Sequence, residues 1–131
     1  MNMKQAGFAL IELVMVIVIL GILAAVAVPK FVDLSSEAKV AAVKGVAGGV
    51  SSGFATNYAA KAAGNTNGVA IAGAALNVNN AASSVMVGGV PTGFTVTAAA
   101  ATVDCTAGGQ AIAVTVTDSA NTAPATLICT A

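Results

Sequence analysis

The chain has no histidine and no tryptophan, and only 8% of its 131 residues carry a charge. Without histidine, the commonest general base and the usual nitrogen ligand of zinc are both missing. Serines are plentiful, but none sits in a motif such as G-x-S-x-G, and a serine nucleophile would find no imidazole to activate it. Asp104 and Asp118 are the only acids after Glu37. Two carboxylates are too few for a calcium cage and thin for an acid–base pair, so they are expected in loops with turn and hydrogen-bonding roles. Five lysines balance five acids, which leaves no basic patch for nucleic acid and no acidic run for a cationic partner. These absences argue against an enzyme and against a cofactor or metal. Apolar residues make up 57% of the chain, yet many are alanines that bury little area each.

Cysteine is scarce too. Cys105 and Cys129 are the only two, both in the last quarter. Behind an export-type N-terminus they read as one disulfide made in an oxidising compartment, with a pair of free buried thiols as the alternative. Two Cys and no His do not make a zinc site.

What the chain does have is grease. Phe8 to Val28 is a run of 21 residues, nearly all apolar and interrupted by one carboxylate, Glu12. As a helix the run spans about 30 Å, the thickness of a bilayer core. It is longer than the apolar part of a signal peptide, and Ala24, Ala25 and Ala27 lead into Pro29 and further helical sequence rather than to a cleavage site. Lys4 before it and Lys30 after it nearly cancel as orientation signals. Helical spacing continues beyond it: Val40, Val43, Ala47, Val50 and Phe54 recur at steps of three and four. Pro29 therefore reads as a kink, not an end. A helix from Phe8 to about Lys61 would be roughly 80 Å long, which suits a bundle or fibre. Gly45, Gly48, Gly49 and Gly53 weaken its second half without an evident reason.

After Ala63 the cluster Gly64–Gly68 (GNTNG) marks a turn, and the remainder is short, β-prone and rich in Gly, Ala, Thr and Asn. Strands are expected at 69–76, 84–87, 94–97, 111–117 and 126–129. The stretch 111–117 alternates best, with Ile112, Val114 and Val116 on one side. The expected fold is α+β: a long N-terminal helix packed on a small C-terminal antiparallel sheet, with one disulfide.

A glutamate in a membrane helix is costly unless partnered. By itself Glu12 could be a polar residue snorkelling from near the helix end. A cut after Gly7 gives it a partner. Phe8 then carries a free ammonium about one turn from Glu12, and two helices stacked with an axial offset match the ammonium of one to the carboxylate of the other. Breaking such a pair in low dielectric costs about 3–5 kcal/mol, so only correctly offset copies are satisfied. Before the cut no ammonium exists at Phe8.

Gly7-Phe8-Ala9-Leu10-Ile11-Glu12, the apolar run, Gly21 and Pro29 together resemble the class III leader and N-terminal helix of type IV pilins. The stretch Pro29-Lys30-Phe31-Val32-Asp33-Leu34 and the late Cys pair are most similar to the mannose-sensitive haemagglutinin-like branch of type IVa. One departure is Ala9, where the family usually has Thr. The resemblance covers about Met1 to Tyr58. It implies cleavage between Gly7 and Phe8 by a prepilin peptidase, N-methylation of Phe8, Glu12 as the assembly glutamate, and loosening of the helix between Gly21 and Pro29 on assembly. It further implies an assembly ATPase, a platform protein, an outer-membrane secretin and other copies of the chain as partners. The location is the inner membrane first, with the C-terminus periplasmic, and an extracellular filament afterwards. The corresponding parts are a leader (1–7), a filament-core helix (8–28), an amphipathic half-helix (29–63) and a globular β domain with a Cys-bounded loop (64–131). Two alternatives share features of this reading: a type II secretion pseudopilin, and a membrane-anchored periplasmic binding module.

Overall fold

The computed structural model describes residues 7–100 and 103–130, so residues 1–6 of the expected leader, and Ala131, lie outside the described residues. Helix α1 spans Leu10–Ala62 and is followed by β1 (Gly73–Leu76), α2 (Val78–Val85), β2 (Thr95–Ala98), β3 (Val103–Cys105), β4 (Ala111–Thr117) and β5 (Thr122–Ile128). Within α1, Pro29 interrupts the bonding without ending the helix. Two compact units divide the chain, Met1–Glu37 and Ala38–Ala131. In the first, the side chains from Phe8 to Val28 find no cover: the fifteen large apolar residues among them are all at least 39% exposed.

The second unit is built on the apolar stripe. Val43, Ala47, Val50 and Phe54 are at most 3% exposed and form one core with Val96 of β2, Val114 and Val116 of β4, and Ala123, Ala125 and Leu127 of β5. The strand residues alternate in and out because the pleat has period two. Strands β2, β4 and β5 form one antiparallel sheet in that order, with Thr95 opposite Thr117 and Val114 opposite Ala125. Strands β1 and β3 form a second, two-stranded sheet. So the expected single sheet is two. Asp104 lies in β3 rather than in a loop, and its carboxylate accepts the N–H of Ala75 at 3.1 Å, beside the irregular pairing of β1.

Side chains hold both edges of the three-stranded sheet. Asn79 Oδ1 accepts the N–H of Val96 on β2 at 2.9 Å, and Ser51 Oγ accepts the N–H of Thr126 on β5 at 3.0 Å. With the Thr126 amide pointing away from β4, the nitrogen of Pro124 two residues earlier points the same way. That is where a strand tolerates proline.

The expected strand at 84–87 is wrong. Ser84 and Val85 end α2, an eight-residue helix capped by Asn77, whose side chain accepts the N–H of Asn80 at 3.0 Å. Val78, Ala81, Ala82 and Val85 recur with helical spacing and turn inward. This helix also gives a reason for two of the four glycines in α1. A Cβ at Gly53 would meet the Val85 carbonyl oxygen at 3.2 Å, and one at Gly49 would touch Met86 at 3.4 Å, whereas Gly45 and Gly48 face open space.

Candidate processing and assembly site

Gly7, Phe8 and Ala9 precede the first helical turn and adopt no regular structure. A peptidase needs a reachable backbone outside regular structure, and the Gly7–Phe8 bond lies in such a stretch. Nothing lies within 4 Å of a Cβ built on Gly7, and Phe8 is 85% exposed. The first turn follows at once, with Ala9 accepting from the backbone N–H groups of Glu12 at 3.0 Å and of Leu13 at 3.4 Å.

Glu12 lies in that first turn, where the helix dipole favours an anion. Its Oε2 accepts the N–H of Ala9 at 3.3 Å. The carboxylate thus has a partner inside its own chain, which the sequence reading did not foresee. The signal was present: a Glu three residues after the residue that starts a helix is the acidic half of a capping box. Gly21 and Pro29 are both inside α1, and Ile22 to Val28 between them is helical in the single chain.

Far along the chain, Cys105 and Cys129 are bonded, with Cα atoms 5.4 Å apart. Both are within 2% of full burial, and they join the end of β3 to the residue after β5. Near them lies a polar clasp that sequence reasoning missed. Asn57 donates from Nδ2 to the Val69 carbonyl at 2.8 Å and accepts the Val69 N–H at 2.7 Å. Thr130 Oγ1 donates to the same carbonyl at 2.9 Å and accepts the Ile71 N–H at 2.8 Å. Asn57 is one step of three beyond Phe54, so it stands on the core stripe where an apolar residue would be expected. That misplaced amide was the available clue.

Asp118 closes the β4–β5 turn. The Ser119 hydroxyl bonded to it holds its carboxyl below the usual value, helped by the Ala120 N–H, Asn121 and the charge of Lys39. Among the described residues no three Asp, Glu, Cys or His side chains stand close enough to hold a metal ion.

Residues 2–28 match the family model for the prokaryotic N-terminal methylation motif. The chain is 55% identical over 53 residues to a type IV narrow pilus major component, PilA5, of Thermus thermophilus, covering 40% of this chain and 46% of that one. It is 52% identical over 42 residues to the type II secretion system core protein G of Pseudomonas aeruginosa, 32% of this chain and 30% of that one. With the type IV major pilin protein PilE1 of Neisseria gonorrhoeae it shares 58% over 40 residues, 30% and 24% of the two chains. The chain thus spans less than half the length of these curated relatives. No solved structure matches.

Proposed function

We propose that the chain is a type IV pilin, a structural subunit that polymerises into a surface filament after removal of its leader. One observation carries this reading: a methylation motif ending in an apolar helix whose large side chains are all exposed in the single chain. Such a helix needs a bilayer or other copies of itself, and a pilin uses both in turn. Cleavage at Gly7–Phe8 frees the Phe8 amine, which becomes methylated. Glu12 then reads the offset of the next copy, and the helix between Gly21 and Pro29 loosens as the filament forms. A prepilin peptidase, an assembly ATPase, a platform protein and a secretin serve the process. The subunit waits in the inner membrane with its C-terminal unit in the periplasm. It catalyses nothing: its work is adhesion, attachment or motility through the fibre.

Similarity to a type II secretion core protein favours a second reading, a pseudopilin with the same N-terminus. The disulfide between Cys105 and Cys129 weighs toward the pilin, because it staples a unit that an extracellular fibre exposes. Mass spectrometry of fibres sheared from the cell surface tests the choice. The expected product begins at N-methylated Phe8 and is abundant in long fibres. An intact Met1 terminus would rule out both pilin and pseudopilin and leave a membrane-anchored binding module. A processed chain confined to the periplasm would favour the pseudopilin.

A further inference from the structure

An asparagine followed by glycine can modify itself. The backbone nitrogen of the second residue attacks the side-chain amide of the first, and glycine, having no Cβ, leaves that nitrogen unhindered. Asn67 is the one asparagine of this chain that precedes a glycine. It stands exposed in the turn between α1 and β1, and among the described residues no hydrogen bond holds its side chain. Its own N–H donates to Asn65 Oδ1 at 2.9 Å. The Gly68 N–H donates to the Asn65 carbonyl at 3.2 Å, the long end of the hydrogen-bond range, so the attacking nitrogen is only loosely held. Both ends of the turn are tied to α1. The Asn65 N–H donates to the Ala60 carbonyl at 2.9 Å, and Asn57 grips Val69 through bonds of 2.7 and 2.8 Å. Between these anchors Gly68 lies against Lys61, whose Cγ would be 2.6 Å from an added Cβ. The stretch 65–69 is therefore a short loop of fixed span.

We propose that Asn67 is a site of spontaneous deamidation, and that the Val69 clasp distinguishes the two products. The Gly68 nitrogen bonds to Asn67 Cγ, its proton leaves with the amide nitrogen as ammonia, and a five-membered succinimide closes. One water then opens the ring. Addition at Cγ breaks the bond to the Gly68 nitrogen that had just formed and leaves aspartate on an ordinary backbone. Addition at the main-chain carbonyl breaks the original peptide bond, and the chain then runs through Cγ as isoaspartate. Either product adds a carboxylate to a chain whose charges otherwise cancel. Aspartate keeps the length of the loop and leaves the clasp intact. Isoaspartate inserts one main-chain atom, about 1.5 Å of bond, into a loop held at both ends. With Gly68 pressed on Lys61, the extra length is passed to Val69 and its bonds to Asn57 give way.

The test holds the full-length chain in zwitterionic detergent micelles at pH 8 and at pH 5. Mass spectrometry, with fragmentation that separates isoaspartate from aspartate, follows each asparagine over time. Asn67 is expected to convert before the others and severalfold faster at pH 8, where the attacking amide loses its proton more readily. Asn67→Gln, which would need a larger ring, is expected to stay intact at that position. The isoaspartate fraction, isolated by chromatography, is expected to unfold at a lower urea midpoint than the native chain and to exchange its Val69 amide severalfold faster. Asn67→Asp carries the same added charge on a normal backbone and is expected to keep the native midpoint. An Asn67 that stays intact, or converts no sooner than the other asparagines, overturns the site. An isoaspartate chain that unfolds at the same midpoint as Asn67→Asp overturns the role of the clasp.

Discussion

Asn57→Leu is the substitution for which the second unit gives the clearest arithmetic. Asn57 is 8% exposed and makes two short hydrogen bonds to Val69, one in each direction. Leucine keeps the branched outline of asparagine with bulkier methyl ends, so no cavity opens. What changes is polar. The Val69 N–H loses its acceptor, and an orphaned buried donor costs about 1–3 kcal/mol. The Val69 carbonyl fares better, because Thr130 Oγ1 still donates to it; losing the second donor there costs about 1 kcal/mol or less. Together the change is about 1–4 kcal/mol, with Tm lowered by about 4–8 °C for each kcal/mol in a unit of this size. Because both side chains bond one carbonyl, Thr130→Val and Asn57→Leu are expected to be non-additive, with a coupling of about 0.5–1 kcal/mol. Urea unfolding of the full chain in detergent, run as a double-mutant cycle, measures both quantities. A loss below about 0.5 kcal/mol for Asn57→Leu, or strict additivity with Thr130→Val, would refute the clasp.

Three more outcomes follow from the same unit. Replacing both cysteines with alanine is expected to cost about 3 kcal/mol through loop entropy for bonded residues 24 apart, read as a lower urea midpoint that a reductant reproduces in the native chain. Gly48→Ala, which meets nothing within 4 Å, is expected to stabilise the helix by about 0.5–1 kcal/mol. Gly53→Ala is expected to gain less or nothing in the same assay, since its methyl would press on the Val85 carbonyl at 3.2 Å. Asp118 is held below its usual pKa chiefly by the Ser119 hydroxyl, so its contribution to stability is full above about pH 4 and fades as the pH falls through the lowered value. The stability gap between the native chain and Asp118→Asn is therefore expected to shrink from pH 5 to pH 2, and a gap that widens on acidification would reverse the sign of the argument.

How much of this could be read without coordinates depends on which force shaped each segment. The stripe from Val43 to Phe54 and the alternation of β4 are hydrophobic periodicities, and both appear where expected. The disulfide followed from count and compartment. Helix α2 was missed because its Asn- and Ser-rich sequence looks like turn material, although Asn77 followed by Val78, Ala81, Ala82 and Val85 is a cap before an apolar face. Strand β3 is only three residues long and holds one apolar residue besides the cysteine. Its pairing is set by long-range contact with β1, which no local pattern announces. Strand β5 was begun too late because Pro124 argues against a strand until its place on an edge is known. Of the N-terminal site, the place of Glu12 in the first turn was legible and its hydrogen bond to Ala9 was not. Whether Glu12 reaches back to Ala9 is a matter of a few tenths of an ångström.

The residues matched by the methylation motif and the residues buried in the core do not overlap. The methylation-motif match ends at residue 28, and the first buried side chain among the described residues is Val43. Packing within the chain therefore places no demand on the Phe8–Val28 run, and the demand comes from outside. Magnitudes show what kind. Fifteen large apolar side chains, each worth about 1.5–3 kcal/mol on full burial and roughly three-fifths exposed, leave about 14–27 kcal/mol to be gained from lipid or from other helices. An ionised Glu at the centre of that environment costs only about 2.5–3.5 kcal/mol by insertion scales. Burial therefore drives the helix into its surroundings with or without Glu12, and the carboxylate is far too small a term to cause assembly. It is, however, large enough to choose among arrangements that bury the helix equally well. A difference of about 3 kcal/mol between a met and an unmet carboxylate is more than a hundredfold in population. On these numbers, and on the filament reading proposed above, the apolar run would supply the drive and Glu12 the choice of offset.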